Sequence, residues 1–292
     1  MKIDLHIHTS TGSDGAFTVE KVFEEAARRE IDFLSVTDHD SVSAQERAIE
    51  LAHEHGIRYV TGIELNVTYP NPLKPDKTVS LDFLGYDYDI HNMALINKLE
   101  MLKEHRENRA LQILENLNEE FDKENISRLT EGDLIRIQES VDGTFGRPHI
   151  ANYLVDKGIV ADRQEAFDKY LVKCDVPKYP LSLEDASRLV RNAGGVLVLA
   201  HPNDPNGTSM VSISSVLGEQ TAIIKKYMLQ YIDGVECWHT RHGEKTAAHY
   251  MAFAEKHSLL VTGGSDCHQK PVIMGTVDIP DSVAGQFKET VI

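Results

Sequence analysis

Asp4-Leu5-His6-Ile7-His8, Thr37-Asp38-His39-Asp40, Leu199-Ala200-His201-Pro202 and Gly264-Ser265-Asp266-Cys267-His268 each close a strand-like run on residues that bind metals well. In an extended strand, residues i and i+2 lie on one side, so His6 and His8 can reach a single ion while Ile3, Leu5 and Ile7 pack behind them. Asp266 and His268 repeat that spacing. Together the four stretches describe a polynuclear metal site whose ligands sit on strand ends.

Working outward, strand signals recur at residues 2–8, 32–38, 58–64, 79–85, 195–200, 233–238 and 259–265, with helical segments between them. This rhythm predicts βα units around a parallel sheet or barrel. Thr18 is placed to cap a first helix running from Lys21 to Arg29, and a second runs from Ser43 to His55 and closes at Gly56. His53 and His55 read as helix-end residues rather than ligands, because a helix C-terminus favours them. Tyr69 to Pro75 reads as a proline-rich loop that a central strand could not hold. Between residues 93 and 180 the strand rhythm stops. Leu95, Leu99, Leu102, Ile113, Leu114 and Leu117 recur at helical steps, and further helices are expected at 131–139, 148–157 and 162–172. The expected organisation is a metal-bearing domain from residues 1–92 and 181–292, with a helical insertion over 93–180. In a β/α barrel the C-terminal strand ends converge on one face, and His6, His8, His39, Glu64, Asp82, His201, Asp266 and His268 are all read at such ends.

Composition narrows the function. A formal charge of −16 and a pI near 5.3 argue against a broad grip on long nucleic acid, which needs clustered Lys and Arg. Cys174, Cys237 and Cys267 are odd in number and far apart, so no disulfide framework is expected. No apolar stretch is long enough to span a membrane, and a strand beginning at residue 2 leaves no room for a signal peptide, so a reducing cytoplasm is expected. Imidazole mixed with carboxylate, without thiolate, suits Mn²⁺, Zn²⁺ or Fe²⁺. Three divalent ions against Asp14, Glu64, Asp82 and Asp266 would leave a cationic centre inside an acidic protein. Such a centre favours hydroxide and a small anionic substrate.

Asp4-Leu5-His6-Ile7-His8-Thr9 with Ser13-Asp14-Gly15, then Thr37-Asp38-His39-Asp40, Gly62-Ile63-Glu64, Leu199-Ala200-His201-Pro202 and Thr262-Gly263-Gly264-Ser265-Asp266-Cys267-His268 closely resemble the PHP (polymerase and histidinol phosphatase) family of metal-dependent phosphoesterases. The resemblance implies a distorted (β/α)7 barrel with up to three metals. By motif position it implies that His6, His8, Glu64 and Asp266 hold one ion, with Glu64 bridging to a second held by Asp82 and His201. Asp14, His39 and His268 would hold the third. Asp82 stands where the family usually has histidine, which makes the second site harder and more negative.

The insertion carries Phe145-Gly146-Arg147-Pro148-His149-Ile150-Ala151, which resembles a segment of the nucleotide-phosphatase branch. A guanidinium fork at a helix start suits phosphate, so Arg147 is expected as an anchor, assisted by His149. His242 resembles a family histidine near the substrate phosphate and is expected to donate to an oxygen or protonate a leaving group. Asp266 or His201 is expected to handle the proton. Arg241 and His239 are weaker candidates, Trp238 reads as core packing, and Cys267 should point away from its ligand neighbours.

These features predict hydrolysis of a small phosphorylated metabolite by a metal-bound hydroxide, with the insertion acting as a lid. A nucleoside 3',5'-bisphosphate is the expected substrate. Small cyclic phosphodiesters, histidinol phosphate and short RNA cut from its 5' end are the alternatives, and a silent binding module is the remote one.

Overall fold

Short runs of Ile, Leu, Val and Phe bounded by glycine-containing or polar turns form the strands. The computed structural model describes residues 1–139, 147–177, 179–268 and 271–287. The strands are β1 (Ile3–Ile7), β2 (Phe33–Val36), β3 (Arg58–Tyr59), β4 (Gly62–Pro70), β5 (Thr78–Tyr86), β6 (Val196–Leu199), β7 (Gly234–His239) and β8 (Leu260–Gly264). The chain divides into two compact units, one from Met1–Asn97 with Pro180–Ile292 and the other from Lys98–Tyr179.

The first unit is mixed α/β, as expected, but no closed barrel forms among the described residues. Pairing forms a parallel sheet β1-β2-β3 and a five-stranded sheet β4-β5-β6-β7-β8 rather than one closed ladder. The sheets approach through isolated parallel bridges, Ile7 with Cys267 and His39 with Glu64. Both feed one apolar cluster that includes Ile3, Leu5, Phe33, Leu84, Tyr86 and Val198, and the Tyr86 hydroxyl donates to Leu5 O at 2.7 Å. Helices α1 (Val19–Arg28) and α2 (Gln45–His55) bury Val22, Phe23, Ala48 and Leu51 with Ile7 and Leu34 in a second cluster. Thr18 caps α1, and Gly56 closes α2 in the left-handed region at φ 66°. His53 and His55 are exposed at that end.

The run at 58–64 departs from expectation by splitting into β3 and the start of β4. Tyr69 and Pro70 belong to β4, which then turns into β5 as an antiparallel hairpin with no helix between. β4 is an edge strand at the end of its ladder, so Pro70 can terminate it without a donor. In the turn, the Asn71 side chain accepts from the backbone N–H groups of Leu73 and Lys74. As a consequence Glu64 lies near the start of β4 and Asp82 in the middle of β5, not at C-terminal strand ends.

The second unit contains most of α3 (Met93–Glu124), followed by α4 (Glu131–Glu139), α5 (Arg147–Asp156) and α6 (Arg163–Ala166), which continues as a π-helical turn over Phe167–Leu171. Its own core gathers Ile113, Leu117, Phe121, Ile150, Leu154 and Tyr170. The first unit is completed by α7 (Leu183–Asn192), α8 (Leu217–Tyr227) and α9 (Glu244–His257). Among the described residues, no helix is long and apolar enough to cross a membrane.

Strand β8 can lie against β1 only because Gly264 has no side chain: a Cβ there would stand 2.3 Å from the Cβ of His6 and 2.4 Å from its backbone nitrogen. Gly264→Ala must therefore push β1 from β8. Overpacking of this kind costs about 1–3 kcal/mol, so urea unfolding is expected to show a loss in that range together with weakened metal binding.

Candidate metal centre

Two strand irregularities set the direction of the key side chains. In β1 the register shifts between Asp4 and Ile7, and in β7 between Glu236 and Trp238. A bulge breaks strict alternation and re-aims side chains, so Glu236 and His239, three residues apart, both face the same buried region. Loop residues complete it: His201 and Asp266 follow β6 and β8 with left-handed backbones, at φ 23° and 55°.

The sequence-predicted ligands converge. His6, His8, Glu64 and Asp266 present ligand atoms within 4.8 Å of one another; so do Glu64, Asp82 and His201, and so do His8, Asp14, His39 and His268. Glu64 is shared. Its Oε2 lies 3.4 Å from His6 Nε2, 3.2 Å from His8 Nε2 and 3.1 Å from His39 Nδ1, while Oε1 lies 3.0 Å from His201 Nε2. Asp266 Oδ1 faces His6, His8 and His268 at 3.3–3.4 Å. Asp82 accepts from Asn66 Nδ2 at 2.6 Å and keeps Oδ2 4.0 Å from His201 Nε2.

These atoms fit divalent cations better than they fit each other. His6 Nδ1–H donates to Glu236 Oε1 at 3.1 Å, which leaves the Nε2 lone pair aimed at the oxygens of Glu64 and Asp266. His268 repeats this: Nδ1–H donates to the Asp266 carbonyl at 3.0 Å, and Nε2 faces Asp14 Oδ1 at 3.3 Å. Acceptor meets acceptor at both points. Among the described residues, His6 Nε2, His8 Nε2, Asp14 Oδ1 and Glu64 Oε2 are buried with no hydrogen-bond partner, a condition that a cation relieves.

The charges tell the same story. Burial works against protonation of His6, yet Glu236, Glu64 and Asp266 together raise its pKa well above the usual range. His8 is pushed up to about 10 and His201 to about 9, again against burial, by the surrounding carboxylates. Burial opposes ionisation of Glu64, Asp14 and Asp266, but the imidazoles hold all three below their ordinary values. A field that attracts protons this strongly attracts metal ions by the same Coulomb term. His39 is the exception: burial, with help from His8 and His268, lowers its pKa despite Glu64 and Asp14.

Three supporting carboxylates went unrecognised in the sequence. Glu236 is fully buried, accepts from the His201 backbone N–H at 2.7 Å and orients His6, so it supports residues of two candidate ligand groups. Asp38 accepts from Thr9 N–H, Thr9 Oγ1 and Ser13 Oγ, and Ser13 Oγ lies 3.3 Å from His8 Nδ1. Asp4 accepts from the N–H groups of Ser265 and Gly275, fixing the turn that carries Asp266. The signal for Asp4 and Asp38 was an acid beside each histidine motif; Glu236 had none beyond an acid in an apolar strand.

Among the substrate-side candidates, His242 differs from expectation. Its Nδ1–H donates to the Cys237 carbonyl at 3.0 Å and its Nε2 accepts from Asn203 N–H at 3.3 Å, so no N–H remains for a substrate oxygen. Burial pushes its pKa down to about 4, so the ring is neutral. Arg147 starts α5 and forms an ion pair with Asp175 at 2.8 Å, with His149 partly buried two residues on; Phe145 and Gly146 lie outside the described residues. Trp238 packs on the core shared by the two sheets, and Cys267 turns into the cluster with Ile7 and Phe23.

A buried set of imidazoles and carboxylates sharing acceptor atoms belongs to a metal-dependent hydrolase. Residues 4–175 match the PHP domain model, and the chain belongs to that family of metal-dependent phosphoesterases. It is 30% identical to the 3',5'-nucleoside bisphosphate phosphatase of Chromobacterium violaceum over 91% of this chain and 87% of that protein. It is 28% identical to the 5'-3' exoribonuclease Rnm of Escherichia coli over 91% and 85%. A solved structure from Bifidobacterium adolescentis, assigned as a metal-dependent phosphoesterase, superposes with a TM-score of 0.73 at 29% identity, covering 97% and 94% of the two chains.

Loss of a carboxylate that orients a metal-binding histidine typically costs 10–100-fold in metal affinity. Glu236→Ala is expected to weaken divalent-ion binding by about that factor in a chelator-competition titration, while leaving Arg147 and the second unit untouched.

Proposed function

We propose that this chain hydrolyses the phosphate monoester of a nucleoside 3',5'-bisphosphate or a related nucleotide, using two to three divalent ions. The observation that carries this reading is the convergence of imidazole and carboxylate acceptors, unpartnered among the described residues, on shared points, in a chain similar to a 3',5'-nucleoside bisphosphate phosphatase and a 5'-3' exoribonuclease. His6, His8, Glu64 and Asp266 would hold the first ion, Glu64, Asp82 and His201 the second, and Asp14, His39 and His268 the third, with His8 beside it. Mn²⁺ is the first choice, because the second group offers two carboxylates to one imidazole and so favours a harder ion. Zn²⁺ and Fe²⁺ follow. Such ions, when bound, polarise phosphoryl oxygens and bring the pKa of water down toward about 7.

The chain's own residues supply orientation and proton handling. Glu236 fixes the His6 ring and the His201 backbone. Asp266 is the favoured proton acceptor, since its Oδ2 faces His239 rather than His6, His8 and His268, whereas His201 Nε2 is engaged with Glu64. Arg147 is the phosphate anchor: its planar fork stands at the first turn of α5, where backbone N–H groups and the helix dipole favour an anion.

Exoribonuclease action on short RNA is the second reading, favoured by the Escherichia coli relative. The acidic balance of the chain weighs against long RNA but not against a dinucleotide.

The test is phosphate release by Mn²⁺-loaded protein from nucleoside 3',5'-bisphosphates, 5'-monophosphates, cyclic phosphodiesters and histidinol phosphate, beside mononucleotide release from a short RNA. Preference for a bisphosphate is the expected result; a higher kcat/KM on the oligomer or a cyclic diester would replace this reading. Chelator-treated protein is expected to be inactive and to recover with Mn²⁺. Arg147→Ala is expected to lower kcat/KM by roughly 10–100-fold, the worth of a charged hydrogen bond to phosphate; unchanged kinetics would remove the anchor.

A further inference from the structure

We propose that His239 is a preset N–H donor that meets a phosphoryl oxygen of the substrate at this centre. His239 closes β7 and is buried, and its Nε2 has no hydrogen-bond partner among the described residues. The backbone N–H of Arg241 points at its Nδ1 at 3.3 Å. A neutral imidazole accepting at Nδ1 carries its proton on Nε2, so the tautomer is fixed by the chain itself. That N–H is directed toward Asp266 Oδ2 at 3.4 Å, an approach too long and off line to satisfy it. The donor is therefore held in place beside the carboxylate whose other oxygen faces His6 and His8, and among the described residues no acceptor meets it in line.

A fourth cation is the obvious alternative, because ligand atoms of Asp204, His239 and Asp266 also lie within 4.8 Å of one another. Two features oppose it. Binding a cation through Nε2 would move the ring proton to Nδ1, straight against the Arg241 N–H. Asp204, moreover, is already matched: both oxygens accept from Arg241 Nη1, at 3.1 and 3.0 Å, and Oδ1 also accepts from Asn206 N–H. The guanidinium is the cation of this corner. By neutralising Asp204 it removes a negative charge that would repel an anion beside His239.

What remains is an acceptor-shaped gap in the bonding, at the edge of a centre that gathers phosphate esters. A phosphoryl oxygen fits it: an acceptor, negatively charged, and more so as the ester bond breaks. His239 thus has the free N–H that His242 lacks, and the β7 bulge is what turns it inward.

This inference rests on phosphoryl chemistry at the centre, so its tests separate the two ideas. Long-range ¹H–¹⁵N spectra of histidine-labelled protein are expected to show His239 as the Nε2–H tautomer; the Nδ1–H form would overturn the assignment. In Mn²⁺-loaded protein, His239→Ala is expected to lower kcat by about 100–1,000-fold, as for loss of an oxyanion donor, with ion content unchanged. His239→Gln, which keeps an N–H at similar reach, is expected to recover at least about tenfold of that loss. Wild-type kcat in the alanine variant, or loss of a bound ion from it, would overturn the proposal. Should the wild-type protein turn over none of the phosphate esters offered, the substrate reading fails while the donor is still tested by inorganic phosphate. Binding to the loaded alanine variant is then expected to be about tenfold weaker by calorimetry, the worth of one charged hydrogen bond, and equal binding would overturn the proposal.

Discussion

One buried carboxylate, Glu64, faces four imidazoles through its two oxygens, and the architecture around it follows from keeping that arrangement solvent-free. Burying several ionisable groups without adequate partners costs several kcal/mol for each ion. Protons can offset this only in part, since they satisfy one acceptor of a facing pair at a time. Divalent cations satisfy several at once, so the free energy of metal binding is also free energy of folding for this region. Catalytic capacity and local stability therefore share one source.

Three of the non-glycine residues that the backbone holds in the left-handed region lie beside the ligand groups. Asp40, His201 and Asp266 adopt left-handed conformations that cost non-glycine residues about 1–2 kcal/mol each, and all three lie in loops leading from strand ends beside the ligands. Each is tied by its own backbone: Asp40 N–H donates to Glu64 O, Asp266 N–H to His6 O, and His201 N–H to the Glu236 carboxylate. The ligands thus hold one another in position through main-chain bonds as well as through shared charge, which is the kind of support a precise site requires.

Much of this was legible from the residues. Alternation placed His6 beside His8 and sent Cys267 into the apolar cluster, and the residues that the motifs single out lie within reach of one another. Pairing direction was not legible, because an apolar strand has the same pattern whichever way its neighbour runs. Glu64 and Asp82 were accordingly misplaced at strand ends when a hairpin carries both. Glu236 and His239 were obscured for a different reason: at a spacing of three they belong to opposite faces of a regular strand, and only the bulge brings them together. His242 looked like a donor because no residue pattern reveals that Cys237 and Asn203 occupy both its nitrogens with main-chain groups. A sequence reports side-chain chemistry more readily than it reports which backbone groups consume it.

The bridge between Ile7 and Cys267 joins segments far apart in sequence, and the candidate group of His6, His8, Glu64 and Asp266 likewise draws on both. Contacts of such sequence separation form late, since the intervening loop must be closed before they add any stability. During synthesis, a ribosome-bound chain can pack α1 and α2 on β1 and β2 long before β8 has emerged. It cannot bring Asp266 to His6 and His8 until then. On the proposed ligand set, an ion at that group would be acquired only after β8 is complete, and an unfinished chain would carry the paired histidines without that carboxylate.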